Sequence, residues 1–295
     1  MATPMTRAQN GSARAAAQAP DLTADPPARG RVRPGRGPVA ARLRLLAARL
    51  ALGVALVGIW QAIVSLKLAD PTVTSSPGDV GKYLWHAVGG SVLWTNLAST
   101  MWAVAVAFVL ASAVGIVVGI ALALLPRVEK VVAPYLDALN AMPRIALAPV
   151  FVVAFGLTPD AKIALAFSIV VFIVLTSARA GVRAVDVDIM RLATMLGTSR
   201  RQMFTKVLFP VAIPSIFGGL RLGVIFSLLG VVTSELIAAR DGIGQLLQGY
   251  ASVFQIDGVY GLLIVLAVIA SLLNAGMSAL ERHLLRWQPP GSVGQ

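Results

Sequence analysis

Residues 191–210 read RLATMLGTSRRQMFTKVLFP, a short basic segment between two apolar runs that are each long enough to cross a bilayer. Its pattern is helix, bend, helix. Asp186 is placed to cap a helix whose first turn also holds Asp188, and Ile189, Met190, Ala193 and Leu196 keep apolar residues on related faces until Gly197. Ser199, with Gln202 three residues later, makes a capping box, so a second helix is predicted through Met203, Phe204 and Val207, interrupted by Pro210 and Pro214. Held between two spans, such a unit presents a compact knob with Arg191, Arg200, Arg201 and Lys206 around an apolar surface, suited to a groove in a partner protein. A connector lying in the headgroup layer, its arginines on anionic membrane lipid, fits the same periodicity. A DNA-reading helix pair is disfavoured, because its second helix is short and tethered beside a span.

Composition explains why the flanking runs are apolar. Of 295 residues, 57% are hydrophobic and 13% charged, against roughly 45–50% and about 25% in soluble domains. The chain therefore reads as an integral membrane protein. Its net charge of +12 reports loops on one side of the membrane rather than nucleic-acid binding. With no cysteine there is no disulfide framework, thiolate metal site or cysteine nucleophile, and two distant histidines, His86 and His283, do not make a metal or triad site. No HExxH or GxxxxGK[ST] string occurs, so the expectation is no cofactor, no resident metal and no nucleotide site within this chain.

Residues 1–40 are rich in Ala, Arg, Pro and Gly and read as a disordered basic tail, because they cannot bury enough apolar surface to offset ordering. Asp21, Asp25 and several prolines speak against a transit peptide. Six spans follow, near 45–66, 97–125, 132–157, 161–180, 216–238 and 259–281, using about 20 apolar residues per crossing. They define an all-α membrane domain over 41–288, with the knob in 184–214 and a short tail at 289–295. The third span contains Pro134, Pro143 and Pro149, whose freed backbone groups need neighbouring protein or a water-filled cavity. Placing both termini in the cytoplasm puts most Lys and Arg inside, including Arg127, Lys130 and the six from Arg179 to Lys206. Only Lys67, Lys82, Lys162 and Arg240 fall outside.

Charges inside spans are the candidates for a pathway. Arg144 directly follows Pro143, where a loosened helix would expose it to an anion. Glu235 lies in the outer half of the fifth span and is read as a pathway or gate residue, with a structural polar contact as the alternative. Arg221 near the inner end is read as snorkelling to the interface. The GxxxG pairs Gly115/Gly119 and Gly219/Gly223 allow close helix packing within one subunit. Tyr83, Trp85, Trp94 and Trp102 read as interfacial aromatics near the outer SSPGD loop at 75–79.

The 191–210 segment resembles the cytoplasmic EAA loop of ABC-type importer permeases, patterned E-A-A, three residues, G, nine residues, I-x-L-P. Ala193, Gly197 and Pro210 match in type and spacing; Val207 and Phe209 stand where Ile and Leu are usual, and Arg191 and Leu192 replace the Glu and first Ala. AMPRIALAPVFVVAFGLTPDAKI, GVRAVD, LFPVAIPSIFGGLRLG, SELIAARDGIG and ERHLLRW are similar to the branch of permeases serving nitrate, sulfonates, taurine and related compounds. The resemblance implies a type I ABC importer permease fold in a bacterial inner membrane. It further implies two cytoplasmic ATP-binding subunits, a second permease subunit of the same kind and an extracytoplasmic binding protein that delivers the solute. ATP hydrolysis would then lie in a partner, and Arg191, Ala193, Gly197, Ser199, Arg200, Arg201, Val207 and Pro210 would form the coupling loop. An ion-coupled secondary transporter is the rival; it is disfavoured by the lack of a clear internal repeat and by Glu235 being the main intramembrane acid. A channel or membrane scaffold leaves the EAA-like spacing unexplained.

Overall fold

The computed structural model describes residues 38–68 and 74–285, with side chains from Leu43 onward. The expectations for residues 1–37 and for the tail 289–295 lie outside these residues. The chain falls into two units, Met1–Leu56 and Val57–Gln295. In the first, the described residues are the leading part of α1 (Pro38–Ser65). Pro38 opens that helix where a missing N–H is harmless, three residues inside the expected tail.

The second unit continues with α2 (Pro77–Gly89), α3 (Ser91–Leu124), α4 (Pro126–Ala141), a 3₁₀ turn (Arg144–Leu147), α5 (Ala148–Phe155) and α6 (Pro159–Arg183). It then runs through α7 (Val187–Met195), α8 (Arg200–Met203), a π-helical turn (Phe204–Leu208), α9 (Phe209–Ile237), α10 (Ile243–Ser252) and α11 (Ile256–Leu284). Among the described residues there is no strand. Among the described residues five stretches are long and apolar enough to cross a membrane: Leu43–Ser65, Ser91–Leu124, Pro159–Arg183, Arg200–Ile237 and Ile256–Leu284. The sixth is the proline-rich third span, and it is broken: Pro126–Ala141 and Arg144–Phe155 meet at a bend of 81°. Pro143 sits at the break, where it can neither donate an N–H nor let Met142 adopt helical backbone.

One expectation at the knob is corrected. The second helix does not stop at Pro210 but runs on from Arg200 to Ile237 as one span. The π turn makes this possible, because Phe209 N–H reaches back five residues to the Phe204 carbonyl and the widened turn admits Pro210 in the first turn of α9. Two connections between spans also carry helices. Ser76 caps α2, its Oγ accepting from Asp79 N–H at 3.1 Å and donating to Asp79 Oδ2 at 2.7 Å. α10 begins after Gly242, whose φ of 115° only glycine adopts without strain.

The core is organised around α6, which packs between α3 and α9. Small residues set the distance. A Cβ on Gly115 would stand 2.9 Å from the Val171 carbonyl and the Val174 side chain, and one on Gly230 would stand 2.9 Å from Ala166 Cα. Gly119 faces Leu175 and Ala178, Gly219 faces Ser177, and Gly223 faces Val170 and Val174, so both GxxxG pairs close on α6 within this chain. Ala103, Ala107, Ala111, Ala166, Ala178 and Ala212 are fully buried at these crossings. Ser227 Oγ donates to the Val104 carbonyl at 3.0 Å, tying α9 to α3.

Candidate functional site

The knob is built by local backbone chemistry. Asp186 caps α7 by accepting from Asp188 N–H at 2.8 Å. At the other end Gly197 has φ 73°, Thr198 N–H bonds the Ala193 carbonyl at 3.2 Å, and Gly197 N–H bonds the Thr194 carbonyl at 3.0 Å. This is a Schellman closure, with glycine in the left-handed position that it requires. Ser199 and Gln202 then form the capping box: Ser199 N–H donates to Gln202 Oε1 at 2.9 Å, and Gln202 N–H donates to Ser199 Oγ at 3.3 Å.

The two faces of the knob divide differently from the expectation. Ala193 is buried, and Met190, Met203, Phe204 and Val207 pack inward on Val182, Val185, Leu208 and Ala212. The outward apolar face is instead Leu192, Met195 and Leu196, which are 59%, 83% and 75% exposed. Arg191, Ser199, Arg200 and Arg201 are exposed around it, with Arg191 paired to Asp188 at 3.2 Å. Pro210 lies at the start of α9 and Val207 in the π turn, so both shape the knob's root rather than its face.

Arg144 opens the 3₁₀ turn immediately after the break. Its Nη2 donates to Asn140 Oδ1 at 2.8 Å and the Leu139 carbonyl at 3.3 Å, and its guanidinium carbon lies 4.2 Å from the centre of the Phe172 ring. It thereby satisfies a carbonyl of the helix that the proline ends. It also borders a cavity of about 190 Å³ lined by Met142, Ile145, Ile169, Phe226, Leu229, Gly230 and Thr233.

Glu235 does not face an open path. It is 1% exposed and its carboxylate accepts from Lys162 Nζ at 2.9 Å, Thr100 Oγ1 at 3.0 Å and Gly244 N–H at 3.0 Å. Lys162, which had read as an outer-loop charge, is 2% exposed. Besides Glu235 it donates to Ser99 Oγ at 2.9 Å, Asp241 Oδ1 at 2.9 Å and the Asp241 carbonyl at 3.2 Å. The ends of α3, α6 and α9 and the turn into α10 are thus tied together. Gly242 and Gly244 have no side chains because the Glu235 carboxylate and the α9 backbone fill that space. The Lys162 hydrogen bond holds the Asp241 carboxyl below its ordinary range, against an opposing effect of partial burial.

Arg221, read as snorkelling to the interface, is exposed, and its Nε donates to Asn274 Oδ1 at 2.9 Å, joining α9 to α11. Three further charged residues were not read from sequence as site residues: Lys162 and Asp241, which join the network, and Glu129, which α4 buries against Arg179 and Arg183. The available signal was an Asp-Gly-Ile-Gly turn six residues after an intramembrane glutamate, with a lysine at the start of another span. Among the described residues no group of His, Asp and Glu is disposed to hold a metal ion.

Residues 115–288 match a family described as "Binding-protein-dependent transport system inner membrane component". The chain is similar to the taurine transport system permease protein TauC of Escherichia coli (strain K12), 34% identical over 237 residues covering 79% of this chain and 86% of TauC. It is also similar to the riboflavin transport system permease protein RibX of Chloroflexus aurantiacus, 30% identical over 233 residues covering 79% of this chain and 87% of RibX. In fold it is similar to a chain of the MetNI methionine ABC transporter solved in inward-facing form. The TM-score is 0.58 at 16% identity, covering 65% of this chain and 95% of that one.

Proposed function

The chain belongs to the binding-protein-dependent transport system inner membrane components, permease subunits of ABC-type importers, and from that premise we propose how its geometry does the work. It is a multi-pass membrane protein whose task is transport rather than covalent chemistry. The Schellman-closed knob, with Leu192, Met195 and Leu196 bare on its outer face, supports a docking role in a groove of a cytoplasmic ATP-binding subunit. Two such subunits would serve two copies of this permease, with both termini cytoplasmic and an extracytoplasmic binding protein on the opposite side. Residues 41–288 would act as one permease domain, with 184–214 as its coupling loop. ATP binding that favours one state of the ATPase pair shifts the permeases between inward-open and outward-open arrangements through this contact.

For the solute, the proposal is a small anion such as a sulfonate, taurine or nitrate. The taurine named for TauC supports it, together with the Arg144 guanidinium beside a largely apolar cavity at the broken span. Glu235 anchors the outer end of the helices that flank this path. The knob carries the reading, and Gly197→Val tests it. A β-branched residue forced to φ 73° costs on the order of 1–3 kcal/mol, which strains a small docking element while the spans stay inserted. The expected result is normal membrane abundance, reduced recovery of the ATPase subunit and loss of solute-stimulated ATP hydrolysis. Full ATPase recovery and uptake would remove the knob from the mechanism.

A further inference from the structure

We propose that Glu129 is the joint through which movement of the knob reaches the broken span: a positioning residue acting through Arg179 and Arg183. The proposal rests on the reading of this chain as a permease driven at its knob.

α4 is loosely held by apolar contacts. Val131, Tyr135 and Leu139 are 67%, 70% and 47% exposed, and the one residue that this helix buries is a carboxylate, Glu129, at 4%. Both of its oxygens are taken by α6. Arg179 Nη1 lies 3.5 Å from Oε1, and Arg183 Nη2 bonds Oε2. The two arginines stand one turn apart, so they grip the carboxylate from two directions. Such charge-assisted contacts fix orientation, whereas apolar faces can slide. Glu129 also lies in the first turn of α4, where the helix dipole favours a negative charge.

On the α6 side, the grip belongs to the same packed body as the knob. Arg183 ends α6, and only Ala184 and Val185 separate it from the Asp186 cap of α7. Val182 and Val185 pack with Leu208, Ala212, Met190 and Phe204, which joins the end of α6, the root of α7 and the π turn in one cluster. On the α4 side the helix continues from Glu129 to Ala141, about 18 Å at helical rise, and there meets the 81° break that leads into Arg144. A displacement of the knob body therefore has a direct, directional handle on α4. The far end of that lever is the break bordering the Arg144 cavity.

The arginines also make the joint testable. Their side chains are 22% and 56% exposed, so both can be hydrated if the carboxylate is neutralised, unlike a lysine sealed in the core. Glu129→Gln is expected to assemble. The transporter would be purified through a tag on this chain, carrying the single cysteine Met142→Cys at the break, and reconstituted in liposomes. The readout is the rate of labelling by a water-soluble maleimide with and without a nonhydrolysable ATP analogue.

With Glu129 present, nucleotide changes the labelling rate. Glu129→Gln is expected to diminish that change about tenfold, while ATPase subunits still co-purify and basal ATP hydrolysis continues. Arg183→Gln, altered at an exposed position, is expected to weaken it in the same direction, and it decides the matter if Glu129→Gln fails to assemble. A residue that only held α4 in place would lower abundance and leave the nucleotide response of the assembled protein intact; a full response in either assembled variant overturns the joint. If the Met142→Cys parent neither recovers an ATPase subunit nor responds to nucleotide, the permease reading falls, and the joint falls with it.

Discussion

Removing Glu235 should damage the protein's stability before it damages transport. The Glu235 side chain has no exposure, and Lys162 beside it retains 3%. Breaking a buried pair by deleting one partner costs roughly 3–5 kcal/mol, because the remaining charge is left in a medium that cannot hydrate it. Here Asp241 keeps a second carboxylate oxygen 2.9 Å from Lys162 Nζ, which places Glu235→Ala toward the lower end, about 3 kcal/mol. Thr100 Oγ1 and Gly244 N–H lose their buried acceptor as well, which works in the opposite direction. At about 2–4 °C per kcal/mol, the purified transporter should melt roughly 6–12 °C lower. Asp241 is 57% exposed, so Asp241→Asn should cost under about 1 kcal/mol. Replacing both buried partners, as Glu235→Leu with Lys162→Met, removes the orphan charge; the pair should lose distinctly less than the two single losses added. Thermal unfolding of these three variants and of the single Glu235→Leu and Lys162→Met variants in one detergent gives the comparison. Strict additivity, or a Glu235→Ala shift no larger than that of Asp241→Asn, would refute the assignment of this network as the keystone of the helix ends.

Gly115→Leu must push α3 from α6, since a Cβ alone would stand 2.9 Å from Val171 O; a loss of about 1–3 kcal/mol or more should appear as reduced membrane abundance, and normal abundance would contradict the crossing. The Asp241 carboxyl is held below its usual range, so its stabilisation is present above the unfolded value of about 3.9 and fades as pH falls through the folded one. The melting difference between wild type and Asp241→Asn should therefore shrink in that acid window, and a difference that grew there would reverse the sign. A cysteine replacing Lys82 should react with an impermeant thiol reagent on intact cells, whereas one replacing Arg201 should not; the opposite pattern inverts the topology.

The fold was legible where local rules decide it. The capping residues of α7 and α8, the Gly197 bend and the apolar spans are written in adjacent residues, and the two GxxxG pairs announced close crossings that α6 supplies. Pro143 announced the broken span. Residues that meet across the fold were harder to read. Lys162 is indistinguishable in sequence from a loop lysine flanking a span, and only the arrival of Glu235 and Asp241 from more than seventy residues away turns it into a buried partner. Glu235, read as a pathway or gate residue with a structural polar contact as the alternative, gave no sign in sequence of the lysine it pairs with. Which knob residues face outward was also illegible, because Ala193 and Leu192 are equally compatible with an apolar stripe until Val182, Val185 and Leu208 claim the inner side. The run from Arg200 through Pro210 depended on a π turn that no residue spelling required.

The central claim is that the bare outer face of the knob couples this permease to its ATPase, and the paired substitution Leu192→Asp with Met195→Asp addresses it most directly. Both side chains are exposed, at 59% and 83%, so the chain's own packing is left untouched. Recovery of the ATPase subunit when the tagged permease is purified from membranes is the measurement. The expected result is unchanged permease abundance with the ATPase subunit lost from the preparation. Recovery of that subunit at the wild-type ratio, with uptake preserved, would contradict it.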